Sequence, residues 1–166
     1  MMRFLFLAAA LALSACGLRP MYAGGESGAV AGTLRSIEVQ PSPGRAGWLV
    51  HKALVQRLGD NRGKTVAYRL EVELDDNITG FGIRGDSAAT RERRTLRARY
   101  RLVDLSTGAV VLDATAGSDA GIDVVSSQYA TVAAEQTALE RLSEVIADQM
   151  VGRLAMYVTR SAPAVR

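Results

Sequence analysis

The sequence has few of the residue types that most enzyme sites require. Its 166 residues contain one histidine, one cysteine and 5% aromatic residues. The lone histidine, His51, lies in a segment with helical spacing, so no metal cluster or acid–base pair can be built from histidines alone. The patterns G-x-S-x-G and H-E-x-x-H and the phosphate-binding loop are also absent. The sequence therefore predicts a protein that is not an enzyme and that uses no cofactor and no metal.

The single cysteine, Cys16, has the setting of a lipoprotein cysteine. Arg3 gives a positive start, residues 4–13 form an apolar run, and the lipobox letters LSAC end at Cys16. An apolar run of about ten residues is too short for a membrane span, which needs about twenty. A buried structural thiol is the alternative, and the position of Cys16 argues against it. We therefore predict that residues 1–15 are a signal peptide and that Cys16 is fatty-acylated. Gly17 favours the outer membrane, on its periplasmic side.

Composition divides the remaining chain into three parts. Residues 16–33 are rich in glycine and poor in large apolar side chains, which predicts a lipidated flexible tether. Residues 34–160 have the length and the apolar patterning of a single domain. Residues 161–166 are predicted to be a disordered tail.

Hydrophobic periodicity predicts the elements of this domain. Apolar alternation indicates strands in residues 37–39, 65–74, 94–105 and 109–116, the last two joined by a tight turn at Thr107-Gly108. Spacings of three and four indicate a short helix in residues 48–58 and a long helix in residues 127–157 whose buried stripe begins at Tyr129 and Val132. Residues 77–85 are compatible with a strand end, a bulge or a mobile loop. The expected fold is α+β with two layers, a small mixed sheet of about four strands with one short and one long helix on one face.

Arginine is concentrated in one segment. Residues 84–101 hold seven arginines and two acidic residues. Five of the arginines have odd numbers, so an extended strand places them on the face opposite the apolar residues: Arg91, Arg93, Arg97, Arg99 and Arg101. The planar guanidinium fork suits phosphate oxygens, so this face is a candidate contact for an anionic lipid or a protein partner. The alternative is a solvated face whose arginines pair across strands with Glu71, Glu73 and Asp113. Nucleic acid is disfavoured because no aromatic side chains are interleaved to stack on bases.

Several short segments together resemble one known family. They are Cys16-Gly17-Leu18-Arg19-Pro20-Met21-Tyr22, Tyr68-Arg69-Leu70, Tyr100-Arg101-Leu102, Tyr129-Ala130-Thr131-Val132-Ala133-Ala134-Glu135-Gln136 and Ala147-Asp148-Gln149-Met150-Val151-Gly152-Arg153-Leu154. In this order they resemble the lipopolysaccharide-assembly lipoproteins of the LptE family, from Cys16 to about Tyr157.

The resemblance implies a non-enzymatic role and a fold of helices packed on a small mixed sheet. LptE proteins act as a plug and assembly partner of the outer-membrane β-barrel LptD and help to place lipopolysaccharide in the outer leaflet. The resemblance also implies binding of lipopolysaccharide through basic residues, for which the arginine face is the nearest match. The alternatives are an auxiliary lipoprotein of a phospholipid transporter and a lipoprotein activator of cell-wall synthesis.

Overall fold

The computed structural model of the protein describes residues 29–59, 63, 65–83 and 89–161. The predicted signal peptide, the lipidation site Cys16, most of the predicted tether and the tail after Ser161 lie outside these residues. The elements are, in chain order, α1 (Ala29–Leu34), β1 (Ile37–Val39), α2 (Gly44–Leu58), β2 (Tyr68–Ile83), β3 (Ala89–Asp104), β4 (Val110–Asp123) and α3 (Gln128–Ser161).

The four strands form one mixed sheet in the order β1-β2-β3-β4. β1 is parallel to β2, with Ile37 opposite Tyr68. β2, β3 and β4 form an antiparallel meander in which Leu70 lies opposite Leu102. The predicted α+β fold with a four-stranded mixed sheet is confirmed.

The helices cover one face of this sheet and form the core with it. Because side chains alternate along a strand, even-numbered residues of β2 and β3 point towards the helices. The core is built almost entirely from aliphatic residues, among them Leu54, Leu70, Leu96, Leu102, Leu139, Ile146, Met150 and Leu154, all nearly inaccessible to solvent. Tyr100 is the one large aromatic side chain among these fully buried residues.

Both predicted helices are present, and their ends have the expected signals. Ser127 precedes α3, and its Oγ accepts the N–H of Ala130 at 3.4 Å as an N-terminal cap. Gly59 follows α2 with φ of 87° and donates its N–H to the carbonyl of Val55. α3 runs without a break through Ser143. None of the helices in the described ranges has the length and apolarity needed to cross a membrane.

The structure differs from the sequence prediction at several element boundaries, including the starts of α2 at Gly44, β2 at Tyr68 and β3 at Ala89. α1 occupies residues that were assigned to the tether, and Leu34 at its end is buried in the core. β2 continues to Ile83 and β4 to Asp123, although both extensions contain glycines and lack apolar alternation. Hydrogen bonding to the neighbouring strand β3 extends them.

The first turns of α3 do not bury the predicted apolar stripe. Tyr129 is 85% exposed and Val132 is 42% exposed. The sheet beneath this part of the helix carries polar side chains, since Arg94 Nη1 donates to the backbone carbonyl of Glu135 at 2.9 Å. The apolar stripe of α3 is therefore continuously buried only from Ala138 onwards.

Candidate functional site

The candidate site is the face of the sheet that the helices leave uncovered, here called the open face. It is made of the odd-numbered residues of β2, β3 and β4, which lie opposite the buried Leu96, Ala98 and Tyr100 in the pleat. The structure places all five predicted site residues on this face: Arg91, Arg93, Arg97, Arg99 and Arg101.

Strand register arranges the charges of the open face in columns. The central column is the arginine column of β3. On one side, β2 places Glu71 opposite Arg101 and Glu73 opposite Arg99. On the other side, β4 places Asp113 opposite Arg101. The side-chain charge is therefore mainly negative on β2, positive on β3 and negative on β4, so that neighbouring columns attract each other.

Four of the five arginines make ion pairs within this pattern. Their acidic partners all come from the two neighbouring strands. The pairs are Arg91 with Asp123 at 3.1 Å, Arg93 with Asp119 at 3.9 Å, Arg99 with Asp113 at 2.8 Å, and Arg101 with Glu71 at 3.2 Å and with Glu73 at 3.5 Å. For these four the structure agrees with the alternative of pairing across strands. The arginines have few acidic neighbours along the sequence. Strand pairing places the acidic side chains of β2 and β4 next to them.

The pair of Arg99 and Asp113 shows the electrostatic effect of this arrangement. Two hydrogen bonds join the guanidinium to the carboxylate, at 3.2 and 2.8 Å. The hydrogen bond from Arg99 holds the pKa of Asp113 below its ordinary value, and the same bond raises the pKa of Arg99. Both side chains are therefore charged throughout the neutral range. Because both are well exposed to solvent, their contribution to stability is small.

Arg97 differs from the other four. In the part of the chain that the structure describes, it has neither an ion pair nor a hydrogen bond. The residue opposite it on β4 is Gly117, which has no side chain to pair with, and Asp75, opposite it on β2, does not form an ion pair with it. The arginine side chain instead lies over this glycine, and a Cβ added to Gly117 would come within 2.6 Å of Arg97 Cδ.

A shallow concavity surrounds Arg97. Its volume is about 690 Å³, and Asp75, Arg97, Arg99, Thr115 and Gln149 contribute side chains to its lining. The concavity therefore combines an exposed guanidinium that forms no ion pair among the described residues with a hydroxyl, a primary amide and the carboxylates of Glu73 and Asp75. The guanidinium, the hydroxyl and the amide can donate several hydrogen bonds to an anionic oxygen.

Sequence reasoning missed other members of this face. Asp119 and Asp123 lie beyond the predicted end of β4 at residue 116, although their odd numbers match Asp113 and Thr115. Gln149 was missed because it belongs to α3 and reaches the edge of the sheet only through tertiary packing. Within the described residues, no group of three or more His, Cys, Asp and Glu side chains is placed to hold a metal ion.

Comparison with known proteins identifies the family. The model of the LptE lipopolysaccharide-assembly family matches residues 34–154. The chain belongs to the LptE family. This match covers the whole sheet, α2 and most of α3, so all five open-face arginines lie within the LptE region.

Solved structures with the same fold include several lipoproteins. A protein of Caulobacter crescentus CB15 described as a lipoprotein is 28% identical over 82% of this LptE-family chain and 100% of its own, with a TM-score of 0.69. Lipoprotein B of Nitrosomonas europaea is 12% identical, over 74% and 82% of the two chains, with a TM-score of 0.56. The rare lipoprotein B of Shewanella oneidensis is 9% identical, over 75% and 95%, with a TM-score of 0.54. The last two show the fold alone. No functionally curated protein matches the chain.

Proposed function

We propose that this protein is an outer-membrane lipoprotein that acts as plug and assembly partner of an LptD-type β-barrel in the delivery of lipopolysaccharide. The observation that carries the proposal is the match of the LptE family over residues 34–154. The lipobox that ends at Cys16 adds a periplasmic anchor in the same membrane. The role is non-enzymatic, because the protein acts by binding a barrel and a lipid.

The open face supports the plug role. The lumen of a large outer-membrane barrel is polar, so a domain inside it must present polar side chains to the barrel wall. The open face is the sheet surface that the helices of the domain do not cover. Arg99 and Arg101 pair with neighbouring acids on this face, which leaves the surface hydrophilic with little net charge. Arg97 is the exception, because it forms no ion pair within the described residues.

Direct contact with lipopolysaccharide belongs to the same proposal, and Arg97 is the residue that we assign to it. Its guanidinium is exposed and forms no ion pair within the described residues, and it lies in the concavity with Thr115 and Gln149, which Glu73 and Asp75 also line. The phosphate groups of the glycolipid would find a planar fork of donors there. Arg91, Arg93, Arg99 and Arg101 already have acidic partners, and we assign them to contact with the barrel wall.

Two measurements test this division. The first is binding of lipopolysaccharide to the purified full-length protein in non-ionic detergent. We expect Arg97→Ala to weaken this binding about tenfold, because bonds to a charged group are among the strongest available. Arg141→Ala, which removes an exposed arginine from α3, is the matched control and should bind as wild type does. If Arg97→Ala and the control bind equally well, Arg97 does not contact the lipid.

The second measurement is recovery of LptD by affinity purification from outer membranes. The variant that combines Arg99→Ala and Arg101→Ala and keeps Arg97 should recover less LptD than wild type if this face contacts the barrel. Purification of wild type that yields an inner-membrane ATPase system or a cell-wall synthase, without any barrel, would reject the proposal in favour of one of the two alternative roles.

A further inference from the structure

The outer edge of β4 carries a hydrogen-bond pattern normally made by another strand. The side-chain amide of Gln149 binds Gly117 twice: Oε1 accepts the N–H of Gly117 at 3.1 Å, and Nε2 donates to its carbonyl at 3.3 Å. In an antiparallel pair, one residue of the neighbouring strand makes these same two bonds to the residue opposite. Gln149 therefore occupies the position of one residue in a missing fifth strand.

The edge continues on both sides of Gly117. Along a strand the backbone polar groups alternate in direction with the side chains, so Asp113, Thr115, Asp119 and Gly121 direct their N–H and carbonyl groups outwards in the same way as Gly117. Among the described residues no other group bonds this outer edge. A row of backbone donors and acceptors at the spacing of a strand is thus accessible.

A groove beside this edge has space for the side chains of such a strand. It has a volume of about 570 Å³, lies between β4 and α3, and is lined in part by Ala114, Gly152 and Met156. A Cβ added at Gly152 would meet nothing within 4 Å. Glycine inside a helix costs about 1 kcal/mol relative to alanine, and no packing within the described chain requires it at Gly152. A glycine at this site instead keeps the groove wide next to the strand edge.

The charges of the open face indicate the kind of strand that fits. The columns change from acidic on β2 to basic on β3 and acidic on β4, where Asp113 and Asp119 lie next to the free edge. A fifth strand would continue this alternation if it carried arginine or lysine at every second position. A second copy of β4 would instead place a second acidic column, with Asp113 and Asp119, beside the first, which is unfavourable.

We propose that β4 binds an extended segment of a partner protein, which pairs antiparallel with the outer edge and displaces the amide of Gln149. The segment has basic residues at alternate positions over the open face and small apolar residues in the groove beside Gly152. Binding by strand addition takes its affinity from the backbone and its selectivity from alternate side chains. The proposal rests on the edge of β4, the groove beside it and the charges of the open face, and it does not depend on lipopolysaccharide transport.

A synthetic peptide provides the test with the full-length protein in non-ionic detergent. The probe is a fluorescent seven-residue peptide of alternating lysine and valine that begins and ends with lysine, and binding is followed by anisotropy. A peptide with four lysines followed by three valines has the same charge and serves as the control. We expect the alternating peptide to bind and to slow amide hydrogen exchange at Thr115 and Asp119, the outward-directed residues on either side of Gly117. Equal binding of both peptides, or no change in exchange at these amides, would overturn the proposal.

Backbone methylation of the probe tests the predicted direction of its hydrogen bonds. A lysine opposite Gly117 directs its N–H towards β4, whereas each valine directs its N–H away. Methylation of the lysine amides should abolish binding, and methylation of the valine amides should leave it. If the two methylated peptides bind alike, no strand is added at this edge.

Variants of Gln149 test whether its amide competes with the strand. Gln149→Ala should bind the alternating peptide about three- to tenfold more tightly, because two hydrogen bonds no longer have to be displaced. Gln136→Ala, an exposed glutamine on the same helix, should bind as wild type does. Weaker binding by Gln149→Ala than by Gln136→Ala would contradict the proposal. If wild type binds the alternating peptide but does not recover LptD, the proposed function fails and strand addition stands. If wild type recovers LptD but does not bind the peptide, strand addition alone fails.

Discussion

Arg94 and Asp76 form a two-pronged ion pair between β3 and β2 on the side of the sheet that faces α3. Arg94 Nε and Nη2 donate to the two carboxylate oxygens at 2.8 and 2.6 Å. The side chains are 12% and 23% exposed, far less than the ion pairs of the open face. The hydrogen bond to Asp76 raises the pKa of Arg94. Since Arg94 also binds the carbonyl of Glu135, the pair fastens the exposed start of α3 to the sheet.

We expect Arg94→Met to lower the free energy of unfolding by about 2–3 kcal/mol, because it leaves the Asp76 carboxylate half-buried without its partner. Arg93→Met on the same strand is the matched control. Arg93 lies on the open face, 59% exposed and 3.9 Å from Asp119, so its replacement should cost less than about 0.5 kcal/mol. Urea unfolding of both variants measures the difference. If the two variants lose the same free energy of unfolding, Arg94 does not hold α3 to the sheet.

A pH-dependent contribution to stability is expected from the ion pair of Arg57 on α2 and Asp148 on α3. Arg57 Nη2 lies 3.1 Å from Asp148 Oδ2, and the hydrogen bond from Arg57 holds the pKa of Asp148 below its ordinary value of 3.8. The unfolded chain therefore binds a proton at this carboxyl before the folded chain does. The stabilisation is complete above about pH 4 and disappears as the pH falls through the folded value.

Asp148→Asn should accordingly lower the free energy of unfolding by about 0.5–1 kcal/mol at pH 7, a modest amount because Asp148 is largely exposed. The difference from wild type should shrink as the pH falls below 4. Chemical unfolding at a series of pH values checks this, with Asp119→Asn as a control whose nearest arginine contact is 3.9 Å. A difference that stays constant from pH 7 to pH 3 would exclude the assigned role of the carboxylate.

Two glycines in helices should respond to alanine with opposite signs. A Cβ at Gly47 in α2 would come within 2.6 Å of the carbonyl carbon of Ser42, which is fixed by a hydrogen bond from its hydroxyl to the carbonyl of Val72. Gly47→Ala should therefore destabilise the protein by about 1–3 kcal/mol. Gly152→Ala in α3 meets open space and should stabilise it by about 0.5–1 kcal/mol. Thermal unfolding of the two variants measures the sign of each change in stability. A Gly47→Ala protein as stable as wild type would contradict the close approach of residue 47 to Ser42.

The turn between β3 and β4 depends on the backbone conformation of Gly108. Its φ of 71° lies in the left-handed region, and its N–H donates to the carbonyl of Asp104 at 2.8 Å. Gly108→Ala should cost about 1–2 kcal/mol, and Gly108→Asn less, because asparagine tolerates this region better. Gly121→Ala in β4 is the control, since Gly121 does not have a positive φ and has open space beside it. Losses of equal size at both glycines would rule out the conformational explanation.

Much of the fold follows from local signals. The alternation of Ile37 and Val39 marks β1, and the left-handed glycine Gly59 marks the end of α2, because both depend on the conformation of the residues themselves. The ends of β2 and β4 could not be read in this way. Gly80 and Gly117 disfavour a strand locally, and hydrogen bonding to β3 overrides that preference.

The candidate site was only partly predictable. Odd numbering was enough to place Arg97 and Arg99 on one face, because a strand has a strict period of two. Which arginine has an acidic partner depends on register between strands, and register joins residues far apart in the chain. Asp113 lies next to Arg99 and Gly117 opposite Arg97 only because of how β4 pairs with β3. The sequence therefore predicts the arginine column but not which of its members, Arg97, forms no ion pair among the residues that the structure describes.

The position of α3 at the end of the chain has a consequence for the order in which the protein is made. The meander of β2, β3 and β4 pairs neighbouring segments and can form as soon as residue 123 has left the ribosome or the translocation channel. The aliphatic side of that sheet, with Leu70, Leu96 and Leu102, stays uncovered until the final 34-residue helix arrives. During that interval the nascent protein presents a bare hydrophobic sheet, which makes it a natural client for chaperones.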